Sequence, residues 1–404
     1  MFDVERARSQ FPALLRNVRG APAIFADGPG GTQVPDAVID AMAALLRSGS
    51  ANLGGPFATS EETEQVVTGA RSAVSDLLGA ASPDEIAFGQ NMTSLTLAVG
   101  RALGRTWEPG DEIVVTRLDH DANVSSWMHA AAEAGAVLRF VDFDGERGTL
   151  DPARFDGVLT DRTRLVAVTH ASNAIGTIVD VAAVTARAHE VGALVYVDAV
   201  HYTPHGPVEV GEIGCDFLAA SAYKFFGPHT GVLYGRLEVM GSLDAVRIRP
   251  APADPPGKWE TGTQSFESLA GVTAAIGYLE QFGDGATRRA RLVAAMEATR
   301  AYEAGLSERF LAGIAANDRV SLYGVSDAGG RTPTFAVAVA GLGAREVAER
   351  LGAQGIFVWH GHYYALEVMS HLGVLDSGGL VRIGFVHYNT ADEVDRVVAA
   401  LAAL

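Results

Sequence analysis

Residues 195–235, VYVDAVHYTPHGPVEVGEIGCDFLAASAYKFFGPHTGVLYG, decide how this chain is read. The run 195–198 is an apolar strand that ends on an acid, Asp198. The run 217–220 is a second apolar strand, leading into Ser221-Ala222-Tyr223-Lys224, and after a Gly227-Pro228 turn the run 231–234 is a third. Lys224 therefore lies between apolar segments, where an ammonium is costly unless paired or neutralised. Most lysines so placed snorkel out or pair with an acid. Yet of 31 cationic side chains only two are lysines, Lys224 and Lys258. A chain so biased to arginine keeps lysine where arginine cannot serve. Arginine does not lose its proton, whereas a lysine of lowered pKa can form a Schiff base.

Asp198 suits the partner that pyridoxal 5'-phosphate (PLP) requires, because a carboxylate keeps the pyridine nitrogen protonated and the ring an electron sink. Ser221 and Tyr223 offer hydroxyls to a phosphate. Asp198-x-x-His201, Ser221-x-Tyr223-Lys224 and Gly227-Pro228 together resemble the class V aminotransferase family of fold-type I PLP enzymes, and within it the cysteine desulfurase/selenocysteine lyase branch. The likeness runs over nearly the whole chain.

The bulk numbers agree with a catalytic globular protein. The 404 residues are too many for one small core, and 48% hydrophobic with 20% charged is a folded composition. A net charge of −17 argues against nucleic acid or an anionic membrane as partner. The one cysteine, Cys215, excludes an intrachain disulfide and a cysteine-only metal cluster, and a reducing cytoplasm is the simplest fit. Residues 1–6 lack a signal-peptide pattern, and no apolar run reaches the roughly 18 residues of a membrane span.

In chain order, residues 1–20 read as an amphipathic helix and connector, 24–27 as a short strand before a Gly-Pro turn, and 35–48 as a helix. Strand 85–88 enters the turn 89–94 and then a helix, which is an anion site in its own right through free N–H groups. Strands 112–116, 137–142 and 165–169 alternate with helices, so a mainly parallel, doubly wound sheet is expected with its site at the strands' carboxyl ends. Residues 252–257 are linker-like.

The resemblance assigns roles. PLP phosphate goes to the Met92 backbone, Thr93, Ser221 and Tyr223, with Gly262 and Thr263 supplied by a neighbouring subunit of a homodimer with shared active sites. His120 stacks on the pyridine, Asn173 and His201 bond the ring oxygen or the phosphate side, and Asp198 bonds the ring nitrogen. Lys224 carries the cofactor and moves the α-proton. Arg382 clamps a substrate carboxylate, for which the guanidinium fork is suited. The early loop with Asn52 reaches an active site. The loop 358–365 carries the sulfur-accepting cysteine in cysteine desulfurases; here Tyr364 falls at that position, beside His362, and either hydrogen-bonds the departing group or shapes the entrance. The expected layout is an N-terminal segment at 1–24 packing with the small domain, a large PLP-binding domain at 25–265, and a small C-terminal α/β domain at 266–404. The expected chemistry is C–S β-elimination on cysteine or an S-substituted cysteine, with amino transfer or epimerisation on the same frame, and non-catalytic binding, as the alternatives.

Overall fold

The computed structural model describes residues 2–404. Strands β1 (Ile86–Gly89), β2 (Glu112–Thr116), β3 (Val137–Val141), β4 (Thr163–Thr169), β5 (Leu194–Asp198), β6 (Phe217–Ser221) and β7 (Gly231–Gly235) form one sheet in the order β1-β7-β6-β5-β4-β2-β3. All pairings are parallel except those of β7, which runs antiparallel to both neighbours. Side chains alternate between two cores, as a pleat of period two requires. Val166, Val195, Val197 and Leu218 enter one core. Leu165, Ala167, Tyr196 and Phe217 enter the other, under helices Met92–Gly104 and Ala122–Ala134. Covering on both faces explains why these strands read as continuous apolar runs.

Register brings the chemistry together. Thr169 is level with Asp198, and Asp198 with Ala219, so β4, β5 and β6 end at one rim with Asp198 and Ser221 beside each other. Lys224 follows within one short turn, Ala222–Lys224.

A second sheet comprises β8 (Val320–Tyr323), β9 (Thr334–Val339), β10 (Trp359–Gly361) and β11 (Leu380–Gly384), antiparallel in the order β8-β9-β11-β10. Phe310, Val337, Ile383 and Val394 lie in its core. The expected boundary at 265 falls just ahead of a helix that joins the larger core. Helix Phe266–Glu280 packs on helices Asp36–Ser48 and Ala58–Leu78 and buries Leu269, Val272 and Ile276 in the larger core, while the second core also takes in Ile24 and Ala26. Residues 1–24 also differ from expectation. Helix stops at Val4–Arg8, ahead of Pro12. The segment clamps both cores: Phe11 packs edge-on against Tyr278 at 5.2 Å, while Arg8 pairs with Glu393 at 2.9 Å. Ile24–Phe25 pairs in parallel with Ile356–Phe357. No helix among the described residues is long and apolar enough to cross a membrane.

Candidate active site

A cavity of about 560 Å³ opens where the rim of the large sheet meets β10 and β11, and Lys224, Asp198 and Arg382 all line it. Lys224 is buried and donates to the carbonyl of Pro29. Burial, with Arg382 nearby, lowers its pKa to about 7, against the pull of Asp198 and Asp27. At neutral pH the amine is thus poised between its two states, as a nucleophile or proton carrier must be. Asp198 is buried too, and its Oδ1 accepts from the Val200 N–H at 2.9 Å. Burial raises its pKa to about 6, so a cation seated against it would be strongly favoured.

His120 sits in the turn after β2. The turn is fixed from behind: Asn123 Nδ2 donates to Asp119 at 2.7 Å, and Trp127 Nε1 donates to Asn123 Oδ1 at 2.9 Å. The Ala122 N–H donates to His120 Nδ1 at 3.0 Å, which leaves the proton of the neutral ring on Nε2. Burial lowers its pKa to about 4, so the ring is an uncharged plate. Tyr364 lies over it with ring centroids 5.7 Å apart and planes 23° from parallel.

Arg382 reaches across from β11. Its Nη1 donates to the Asn173 carbonyl at 2.9 Å, its guanidinium lies 4.6 Å from the Tyr363 ring, and its buried Nε has no partner. No carboxylate of the described residues lies within ion-pair distance of it, and burial lowers its pKa to about 10. A buried guanidinium without a counter-ion is costly, and an incoming anion relieves that cost. The loop beside it is strained: Tyr363 and Tyr364 both have positive φ, 52° and 57°. Asn173 Nδ2 holds the Tyr363 carbonyl at 3.0 Å, and the Asp121 N–H holds that of Tyr364 at 2.6 Å.

Comparison with known proteins agrees with this geometry. A model of the class-V aminotransferases matches residues 24–397. The chain belongs to that family. It is 32% identical to an aminotransferase-like protein, FGM3, of Gibberella zeae over 99% of this chain and 98% of that one. It is also 32% identical to a cysteine desulfurase of Serratia proteamaculans, over 99% and 98%. The structure of a cysteine desulfurase from Thermococcus onnurineus superposes with a TM-score of 0.90 at 28% identity, covering 99% of this chain and 97% of that one.

As a class-V aminotransferase family member the chain is a fold-type I, PLP-dependent enzyme, and its cavity fits that cofactor. Asn173 Oδ1 and Arg382 Nε are buried polar atoms still without partners. Asp198 offers a carboxylate to a protonated ring nitrogen. Met92 and Thr93 open helix Met92–Gly104, whose N-cap Asn91 accepts from the Ser94 N–H at 2.9 Å, leaving the free N–H groups of the first turn toward the cavity's edge. Ser221, Tyr223 and His362 line the cavity as well.

His201 lines the cavity, but its Nε2 is engaged with Thr332 and Thr334 at 3.1 and 3.0 Å, so that nitrogen ties the loop after β5 to the second domain. Asn52, Gly262 and Thr263 are exposed and lie outside this chain's own cavity, as residues expected to serve a neighbouring subunit would. Sequence reasoning missed Asp27. Its Oδ1 is buried without a partner, its pKa is raised to about 6 by burial, and it feels both Lys224 and Arg382. The turn after it backs onto β11 so closely that a Cβ on Gly384 would lie 2.2 Å from Pro29. The glycines and proline of that turn were the available signal.

Proposed function

We propose that this enzyme breaks the C–S bond of cysteine or an S-substituted cysteine by β-elimination, giving a thiol, pyruvate and ammonium. The observation that carries the reading is a cavity holding a poised lysine and an unpaired buried arginine, with no cysteine in its lining. Cys215, the only thiol, is buried in the large core just before β6, and burial raises its pKa far above neutrality. A thiol there is inert as a nucleophile. Tyr364, placed by resemblance where desulfurases carry their sulfur acceptor, is a phenol and cannot form a persulfide.

When bound, PLP supplies the electron sink that makes the α-proton acidic and lets a β-substituent depart. Lys224 anchors the cofactor and, as a free amine, removes the α-proton. Arg382 takes the substrate carboxylate on its fork and fixes the α-carbon over Lys224. Asp198 would hold the proton on the ring nitrogen, His120 would pack on the ring face, and the start of helix Met92–Gly104 with Ser221 would bind the phosphate. Tyr364 and His362 shape the entrance and exclude water.

A homodimer completes this proposal. Gly262 and Thr263 of one subunit would meet the phosphate of the other, and Asn52 would reach the site from the early loop. Ile39, Leu46, Leu53 and Phe57 are large apolar side chains left exposed along helix Asp36–Ser48 and that loop, a face suited to a second copy. Mixing Lys224→Ala with Thr263→Ala subunits should restore one intact site per mixed dimer, and no recovery after verified exchange would count against sharing. A chain with one buried thiol suits a reducing compartment such as the cytoplasm.

The reaction is tested with purified, PLP-loaded protein and S-methyl-L-cysteine in the absence of any keto acid. Pyruvate, ammonium and methanethiol should appear together. Dependence on an added keto acid would establish amino transfer instead, and formation of the D-isomer would establish epimerisation.

A further inference from the structure

Trp359 stands directly opposite Arg382 on the neighbouring antiparallel strand. Paired residues of this kind leave the sheet on one face with Cβ atoms about 5 Å apart. The indole lies on the backbone of Gly30: a Cβ added there would come within 2.3 Å of Trp359 Nε1. The residue before it, Pro29, accepts the Lys224 amine. Trp359 therefore lines the same cavity as the amine and the guanidinium. It is nonetheless 52% exposed. One edge of the indole packs on Gly30 while the rest of the ring is open at the cavity.

Across the mouth, Tyr364 is 68% exposed above His120. Both aromatic walls belong to the same cavity as Lys224 and Arg382. Among the described residues its only acidic liner is Asp198, so the mouth, lined by Trp359, Tyr364 and histidines, offers no carboxylate to a cationic substituent. A substrate with its carboxylate on Arg382 and its α-carbon at Lys224 has its β-substituent in the cavity that these rings also line.

We propose that Trp359 is a specificity-determining residue, and that it selects cysteine conjugates whose sulfur carries a planar aromatic group, stacked on the indole. The inference rests on the lyase reading and narrows its substrate class. The reaction balances without an oxidant: the α-proton goes to Lys224, the Cβ–S bond breaks with its electron pair leaving on sulfur, and the thiolate takes a proton. Water then converts the remaining three-carbon enamine to pyruvate and ammonium.

Three probes separate the possibilities: S-benzyl-, S-cyclohexylmethyl- and S-methyl-L-cysteine. Each is titrated into PLP-loaded protein and its Kd read from the change in visible absorbance, while pyruvate is measured in parallel. Aromatic contacts of this kind are worth about 0.5–1.5 kcal/mol beyond area burial, or about 2- to 13-fold. The benzyl conjugate should bind about tenfold tighter than the methyl one and severalfold tighter than its saturated isostere. Trp359→Ala should erase the benzyl-over-cyclohexylmethyl preference, and Trp359→Phe should keep part of it. Equal Kd values for the benzyl and cyclohexylmethyl conjugates, or a preference that survives Trp359→Ala, would overturn the proposal. Absence of pyruvate from all three would sink the lyase reading instead, with the Kd ratios still deciding the role of Trp359.

Discussion

Arg382 donates from Nη1 to the backbone carbonyl of Asn173 across 2.9 Å, docking an arginine of the small sheet on a loop of the large one. The contact leaves Nε unpaired. The guanidinium is thus aimed before any substrate arrives, and binding need not pay again to order it.

Arg382→Lys keeps the charge and loses the fork. Hydrogen bonds to charged groups are worth about 1.5–3 kcal/mol, so kcat/KM should fall by about 10- to 150-fold. The loss should appear mainly in KM if the fork only binds the carboxylate, and in kcat as well if it also aims the α-carbon at Lys224. Steady-state kinetics on one good substrate separates the two. An unchanged kcat/KM would remove Arg382 from the site.

The pKa of Lys224 predicts how the apo protein takes up PLP. Its ordinary value near 10.5 falls to about 7 because burial disfavours the ammonium. The reactive form is the free amine, so capture should slow about tenfold per unit below pH 7 and level off above it. A rate still climbing at about pH 9 would show an amine of ordinary pKa. Borohydride reduction and peptide mass analysis should then find the pyridoxyl group on Lys224. Label on Lys258, which donates to the Gly241 carbonyl at 2.8 Å away from this cavity, would move the site.

Asp198→Asn removes the charge that favours both a protonated ring nitrogen and a protonated Lys224. Turnover should drop by about 10- to 150-fold, on the scale of a charged hydrogen bond. The pH of half-maximal PLP capture should also move below its wild-type position, because one partner of the ammonium is gone. A variant that captures PLP with an unmoved profile would show that Asp198 does not act on Lys224.

Much of this was legible from local pattern. Strand, acid, strand and lysine lie within 30 residues of one another, and their order alone placed Asp198 and Lys224 at one rim. Residues whose meaning depends on the second domain were not legible. Asp27 and Pro29 read as the entrance to a tight turn, and only folding inserts that turn between Lys224 and β11. The tie of His201 to Thr332 and Thr334 was not legible, since they lie 131 and 133 residues further on. Nothing in the local pattern singles out Trp359, since its neighbour Arg382 is fixed by strand register.

Cys215 is buried at 1% exposure and belongs to the core. Cys215→Ala should cost about 1 kcal/mol of stability and leave turnover within about twofold, read by thermal unfolding and product release. Loss of all sulfur release in a variant that folds and binds PLP would restore a thiol-dependent mechanism.

The products of L-cysteine distinguish elimination from sulfur transfer. Elimination gives pyruvate, ammonium and sulfide in equal amounts, while sulfur transfer gives alanine and a persulfide on the protein. PLP-loaded enzyme should yield pyruvate with sulfide, no alanine, and no persulfide on Cys215 after alkylation. Alanine formed together with a Cys215 persulfide would contradict the account.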